Sequence, residues 1–167
     1  RNGTGGSMTG LFRRFIKARQ GLATLEAALI FPILVALSLA ASDAGMMMLT
    51  LHKLESGLSA GGAYLARSID PASDEARAKN VAVTGFSADG NPAIVKDWST
   101  ADVTITIADV DNSGGEGELV LRGGNAIQIV RFETSYAYSG LGLLGMMNAG
   151  SITLRAKHEE RLFIGDT

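Results

Sequence analysis

Residues 27–42 read AALIFPILVALSLAAS, a stretch of 16 residues without a charge. Asp43 interrupts it, and residues 44–51 (AGMMMLTL) carry the apolar run onward, giving 25 positions with one acid. A helix that crosses a bilayer needs about 20 mostly apolar residues, so this run dominates what the chain can become. Three readings compete: a plain anchor, a cleaved secretory signal with residues 13–19 as its basic region and Ser38-Leu39-Ala40 as a small-residue cleavage site, and a span in which an acid has a job. The charge in front of the run is one-sided. Residues 1–20 hold Arg1, Arg13, Arg14, Lys17 and Arg19 with no acid, a charge of +5, while the remaining residues sum to −7, for a net −2. Cations before a span favour a cytoplasmic N-terminus. The basic head therefore has a topological role, and nucleic acid is not needed to explain it.

Glu26 sits at the start of the apolar run. A carboxylate inside a span costs about 2.5–3.5 kcal/mol on insertion scales, so it marks pairing or function unless it rests at the interface. The string Lys17-Ala18-Arg19-Gln20-Gly21, then Leu22-Ala23-Thr24-Leu25-Glu26, then an apolar run with Pro32, resembles a type IV prepilin signal. Within that superfamily the chain is most similar to the TadE/TadF-like pseudopilins of tight-adherence (Tad, or Flp) pili. Arg19-Gln20-Gly21, Glu26, Pro32, Asp43-Ala44-Gly45 and Lys53-Leu54-Glu55 stand at matching places, with Ala27 where the family has Phe. The likeness covers about residues 13–67.

The resemblance implies a leader, residues 1–21, removed by a prepilin peptidase after Gly21, with Leu22 as the first mature residue. The new α-amino group is cationic at neutral pH, and pairing it with Glu26, in the same chain or a neighbour, removes the cost of leaving either charge alone in hydrocarbon. The resemblance further implies a transmembrane helix over 22–51, an N-terminus in the cytoplasm, and a periplasmic domain over 52–167. The subunit would move from the bacterial inner membrane into the pilus. It implies a minor structural component for adhesion or secretion, working with other Tad pseudopilins and the Flp pilin. No enzyme activity, cofactor, nucleic acid or small-molecule substrate goes with it. Residues 1–7 precede Met8 and are left out of the fold reasoning.

Beyond the span, Leu51, Leu54, Leu58, Gly61, Leu65 and Ile69 recur at helical spacing, predicting one long helix from about 22 to 68. Gly57, Gly61 and Gly62 thin one side of it, so another backbone can approach closely. That neighbour is either another subunit or the chain's own sheet. Asp70-Pro71 predicts a capped second helix over 71–83. Strand-like runs follow at 94–98, 103–108, 118–122, 126–138 and 152–164, with Gly123-Gly124-Asn125 as a hairpin turn. Helices first and strands after predict an α+β fold with an antiparallel sheet. Cys is absent, which excludes disulfides and thiolate chemistry.

Four motifs invite chemistry. Gly57-Leu58-Ser59-Ala60-Gly61 matches G-x-S-x-G, but a nucleophile elbow needs a strand, a sharp turn and a helix, and this copy falls inside the amphipathic helix. Gly140-Leu141-Gly142-Leu143-Leu144-Gly145 matches a dinucleotide fingerprint without room for the crossover helix that motif requires. It reads instead as an apolar loop, folded under the sheet or offered to a partner. Asp109, Asp111 and Ser113 copy half of a calcium loop, yet Val120 stands where a bidentate Glu belongs, so a solvated turn between strands is the favoured reading and calcium the weaker one. Asp43 is placed to pair with a cation of a partner subunit, or with Lys53 at the outer interface. Two other function classes remain beside the pseudopilin: a periplasmic or anchored binding module exported by an ordinary signal, and a membrane-tethered hydrolase using Ser59.

Overall fold

The computed structural model describes residues 8–114, 126–140, 142–147 and 150–162. Helix α1 runs unbroken through Met8–Leu65, with Pro32 inside it. At 1.5 Å per residue it is about 87 Å long. It ends where Arg67 and Ser68 amides tighten back onto the Tyr64 and Leu65 carbonyls, three residues before the expected boundary. Ile69 consequently points into solvent and leaves the apolar stripe that its spacing predicted. Asp70 then caps helix α2 (Pro71–Thr84): its carboxylate accepts from the Ser73 amide, with Pro71 at the first helical position. The pattern is one that satisfies orphan amides at a helix start. Gly85 closes α2 in the left-handed region (φ 81°), the conformation glycine adopts without a Cβ penalty.

Strands β1 (Val103–Asp111), β2 (Ala126–Tyr138) and β3 (Ile152–Arg161) form an antiparallel sheet in the order β1-β2-β3. The α+β expectation therefore holds. The 3-10 turn Thr100–Asp102 leads into β1, and a short helix α3 (Leu143–Met146) interrupts the β2–β3 connection. Alternation along the strands separates two faces. Val103, Val130, Phe132, Thr134, Leu154 and Ala156 are buried toward the helices. Arg131 pairs with Glu159 at 2.8 Å on the other face, and Glu133 stands opposite Lys157 in register.

The segment 94–98 is not a strand. Val95 and Trp98 are both buried while Ile94 is partly exposed, the i,i+3 pattern of a turn. The Trp98 amide closes it on the Val95 carbonyl, and Asp97 takes a left-handed backbone (φ 63°), which Asp tolerates better than most residues. Trp98 earns its place through burial: its Nε1 donates to Thr134 Oγ1 at 3.0 Å, and that hydroxyl donates to the Asp102 carbonyl at 2.9 Å. The expected strand 118–122 and the turn 123–125 lie outside the described residues.

Candidate functional site

The first half of α1 and its second half meet opposite environments. Leu54, Leu58 and Leu65 are fully buried in the domain core with Phe132, Val130 and Trp98. Leu22, Leu25, Leu29, Phe31, Ile33, Leu34 and Leu37 are all more than half exposed. Burying such side chains is worth about 1.5–3 kcal/mol each, so a helix that presents them together calls for an apolar surrounding. The helix is long and apolar enough to cross a membrane. Its hydroxyls fit that setting: Ser38, Ser42 and Thr50 donate to the carbonyls of Leu34, Ser38 and Met46 one turn back, so each is satisfied without water.

Gly21, Leu22 and Glu26 lie on this exposed stretch of continuous helix. A Cβ added to Gly21 would meet nothing within 4 Å, so no contact of the fold asks for glycine there. Leu22 and Glu26 are spaced one turn apart along α1.

The glycine stripe is occupied from within the chain. A Cβ on Gly57 would overlap the Ala82 carbonyl and lie 2.9 Å from Trp98 Cη2. On Gly61 it would lie 2.8 Å from the Ala78 carbonyl and 3.0 Å from Phe132 Cε1, and on Gly62 3.0 Å from His158 Cδ2. Position 57 faces 82 and 61 faces 78, so α2 runs antiparallel to α1 at close approach. The sequence offered another subunit or the chain's own sheet; α2, which it did not offer, fills the space at Gly57 and Gly61, and the sheet reaches Gly61 and Gly62. Ser59 sits in the same helical interior, without the strand and sharp turn of a nucleophile elbow.

Asp43 is 4% exposed. Its Oδ1 accepts from the Gly142 amide at 2.7 Å and its Oδ2 from the Leu144 amide at 2.8 Å, while the Tyr138 hydroxyl approaches its carbonyl at 3.5 Å. A mid-helix carboxylate thus caps α3 and latches the β2–β3 connection to α1. Charge-assisted bonds of this kind are the stronger class. Both oxygens have donors in this chain, so neither Lys53 nor a partner's cation is needed to satisfy them. The latch also answers the fingerprint at 140–145. Gly140 turns the chain at φ 72°, and the amides a phosphate would need are taken by Asp43. Gly142, Leu144 and Tyr138 were not singled out by sequence reasoning as partners of Asp43. The available signal was a buried-type acid in one apolar run and a glycine-spaced apolar run about 100 residues later, and nothing local connects the two.

Asp109 and Asp111 lie on β1, in register with Gln128 and Ala126, where a calcium loop would have to curl. Asp111 accepts from the Ser113 amide at 2.9 Å. That bond holds its carboxyl below the usual value. No group of three or more His, Asp or Glu able to hold a metal occurs among the described residues. His52 pairs with Glu55 at 3.7 Å and His158 with Glu160 at 3.1 Å. Comparison with known protein families, curated proteins and solved structures finds no match.

Proposed function

We propose that this chain is a minor pseudopilin of the TadE/TadF-like kind, a structural subunit that is processed after Gly21 and held in the bacterial inner membrane by α1. In this reading its α+β domain lies in the periplasm until the subunit joins a Tad pilus with related subunits. The observation that carries it is the division of α1. One unbroken helix offers an exposed apolar first half and then becomes the core helix of a folded domain. That is the build of a subunit that waits in a membrane and is later extracted by its helix. The basic head supports a cytoplasmic N-terminus, and the prepilin-like string around Gly21 supports peptidase processing.

Gly21→Ala supplies a clean test, because the added methyl meets nothing within 4 Å and the fold is left intact. N-terminal sequencing of membrane-extracted protein from cells expressing the matching peptidase is expected to read from Leu22 in the wild type, and to find the leader retained in Gly21→Ala. A mature terminus near Ala41 or Ser42 in the wild type would instead establish ordinary signal cleavage and the anchored or secreted binding module. The same terminus in both proteins, upstream of Gly21, would refute processing at this site.

A further inference from the structure

The Asp43 latch fixes α3 at a particular height on α1. Gly142 donates to Asp43, and a Cβ on Gly142 would lie 2.7 Å from the Leu39 carbonyl. Hence α3 sits beside α1 residues 39–43. From Leu22 to Asp43 the helix rises about 32 Å, close to the hydrocarbon thickness of about 30 Å. Counted from Leu22, the hydrocarbon ends near Asp43, eight residues short of the bound at 51 expected from the sequence, so the latch falls where the anchor leaves the hydrocarbon.

What α3 presents at that height is apolar. Leu144 packs against the core, whereas Met146 and Met147 are 72% and 66% exposed. Residues 139–151 contain no charged side chain. The polar backbone at this point is partly satisfied already: Asp43 takes the Gly142 and Leu144 amides, and the Met146 amide donates to the Gly142 carbonyl. Unsatisfied backbone is what excludes most loops from lipid, and methionine fills irregular apolar surroundings well. On α1 the exposed apolar surface continues past the latch through Met46, Met48 and Leu49.

We propose that α3 and the Met146-Met147 tip are a second membrane contact, inserted into the headgroup–acyl boundary of the outer leaflet next to α1. Asp43 acts as the strut that sets their depth. The occupant is lipid, because an uncharged apolar tip is fixed beside α1 at the height where the anchor leaves the hydrocarbon. The contact makes the domain sit down on the bilayer at a fixed tilt, so that extraction of the subunit breaks two apolar contacts. This inference rests on the membrane reading of α1.

The absence of cysteine allows single-site labelling of the full chain. Met146→Cys, Met147→Cys, Leu34→Cys and Ser87→Cys, each carrying an environment-sensitive fluorophore, are reconstituted into phosphatidylcholine–phosphatidylglycerol vesicles with doxyl-labelled acyl chains. The expected result is loss of fluorescence at 34, 146 and 147, with 146 and 147 quenched most by doxyl groups near the headgroup, and retained fluorescence at 87. Quenching at 34 alone would overturn the lipid contact and leave the anchor standing. Loss at none of the sites would overturn the anchor and the contact together. A blue-shifted but unquenched label at 146 or 147 would place protein over the tip, a second copy included, and equally refute it.

Discussion

Replacing Gly57 by alanine adds one methyl group at the closest approach of α1 and α2. The new Cβ would overlap the Ala82 carbonyl and crowd Trp98 at 2.9 and 3.1 Å. The obstacle is backbone on one side and a ring that is 2% exposed on the other, so no flexible side-chain end yields. Two effects oppose each other. Alanine in a helix interior is favoured over glycine by about 0.8–1.0 kcal/mol. Overpacking a filled core costs about 1–3 kcal/mol, and more when backbones must separate. Because backbone is the obstacle, the upper part of that range, about 2–3 kcal/mol, applies, and the second effect wins for a net loss of about 1–2 kcal/mol. For a domain of this size each kcal/mol moves Tm by about 3–6 °C, so Gly57→Ala is expected to lower Tm by about 3–12 °C. The assay is thermal unfolding of the detergent-solubilised chain, followed by the emission of Trp98, the single tryptophan. Gly45→Ala is the control: it lies in the same helix and its Cβ meets nothing within 4 Å, so its Tm stays level or rises. A Gly57→Ala protein as stable as Gly45→Ala would refute the internal-packing account of the stripe and return it to contacts between subunits.

Asp43→Ala removes both carboxylate acceptors from α3. Bonds of this charge-assisted type contribute about 1.5–3 kcal/mol, and amide hydrogen exchange at Gly142 and Leu144 is expected to speed up while α2 stays protected. Unchanged exchange would count against the latch. Phe132→Ala empties a fully buried site and is expected to cost about 3–5 kcal/mol in denaturant titration. Trp98→Phe deletes the donor to Thr134 Oγ1 and is expected to cost about 1 kcal/mol from the lost bond, plus what the smaller ring leaves unfilled, measured by circular dichroism. Burial, followed by the Asp43 and Tyr136 charges, pushes the Tyr138 phenol up; burial and then Asp97 push up Tyr136. The folded state therefore favours both neutral phenols. Their contribution is complete below the ordinary tyrosine pKa of about 10 and is lost as pH rises through the raised folded values, so Tm should fall more steeply above pH 10 in the wild type than in Tyr138→Phe.

Much of the helical part was legible in the sequence. The 3-4 spacing of Leu51, Leu54, Leu58 and Leu65 marks a buried face because helix geometry is local, and Asp70-Pro71 marks a start because caps are local too. Strand β2 was placed at its observed bounds for the same reason: alternation over 13 residues is a strong period. The turn at 94–98 was missed because five residues give too few repeats to separate a strand from a turn, and the burial of Trp98 against Thr134 is decided 36 residues away. Residues 140–147 read as a loop because a four-residue helix has no period to detect and takes its cap from a distant acid.

The sequence alone determined that this chain carries an apolar helix with a basic approach, long enough to cross a bilayer, followed by an α+β body. Hydropathy and charge act residue by residue and need no partner to be read. The tertiary structure alone decided what Asp43 and the glycines are for. An acid in an apolar run can face a neighbour, lipid headgroups or its own chain, and a stripe of small residues can admit any backbone. Those choices turn on contacts between residues such as 43 and 142, or 57 and 82, that only the folded path of the chain brings within hydrogen-bond and van der Waals reach.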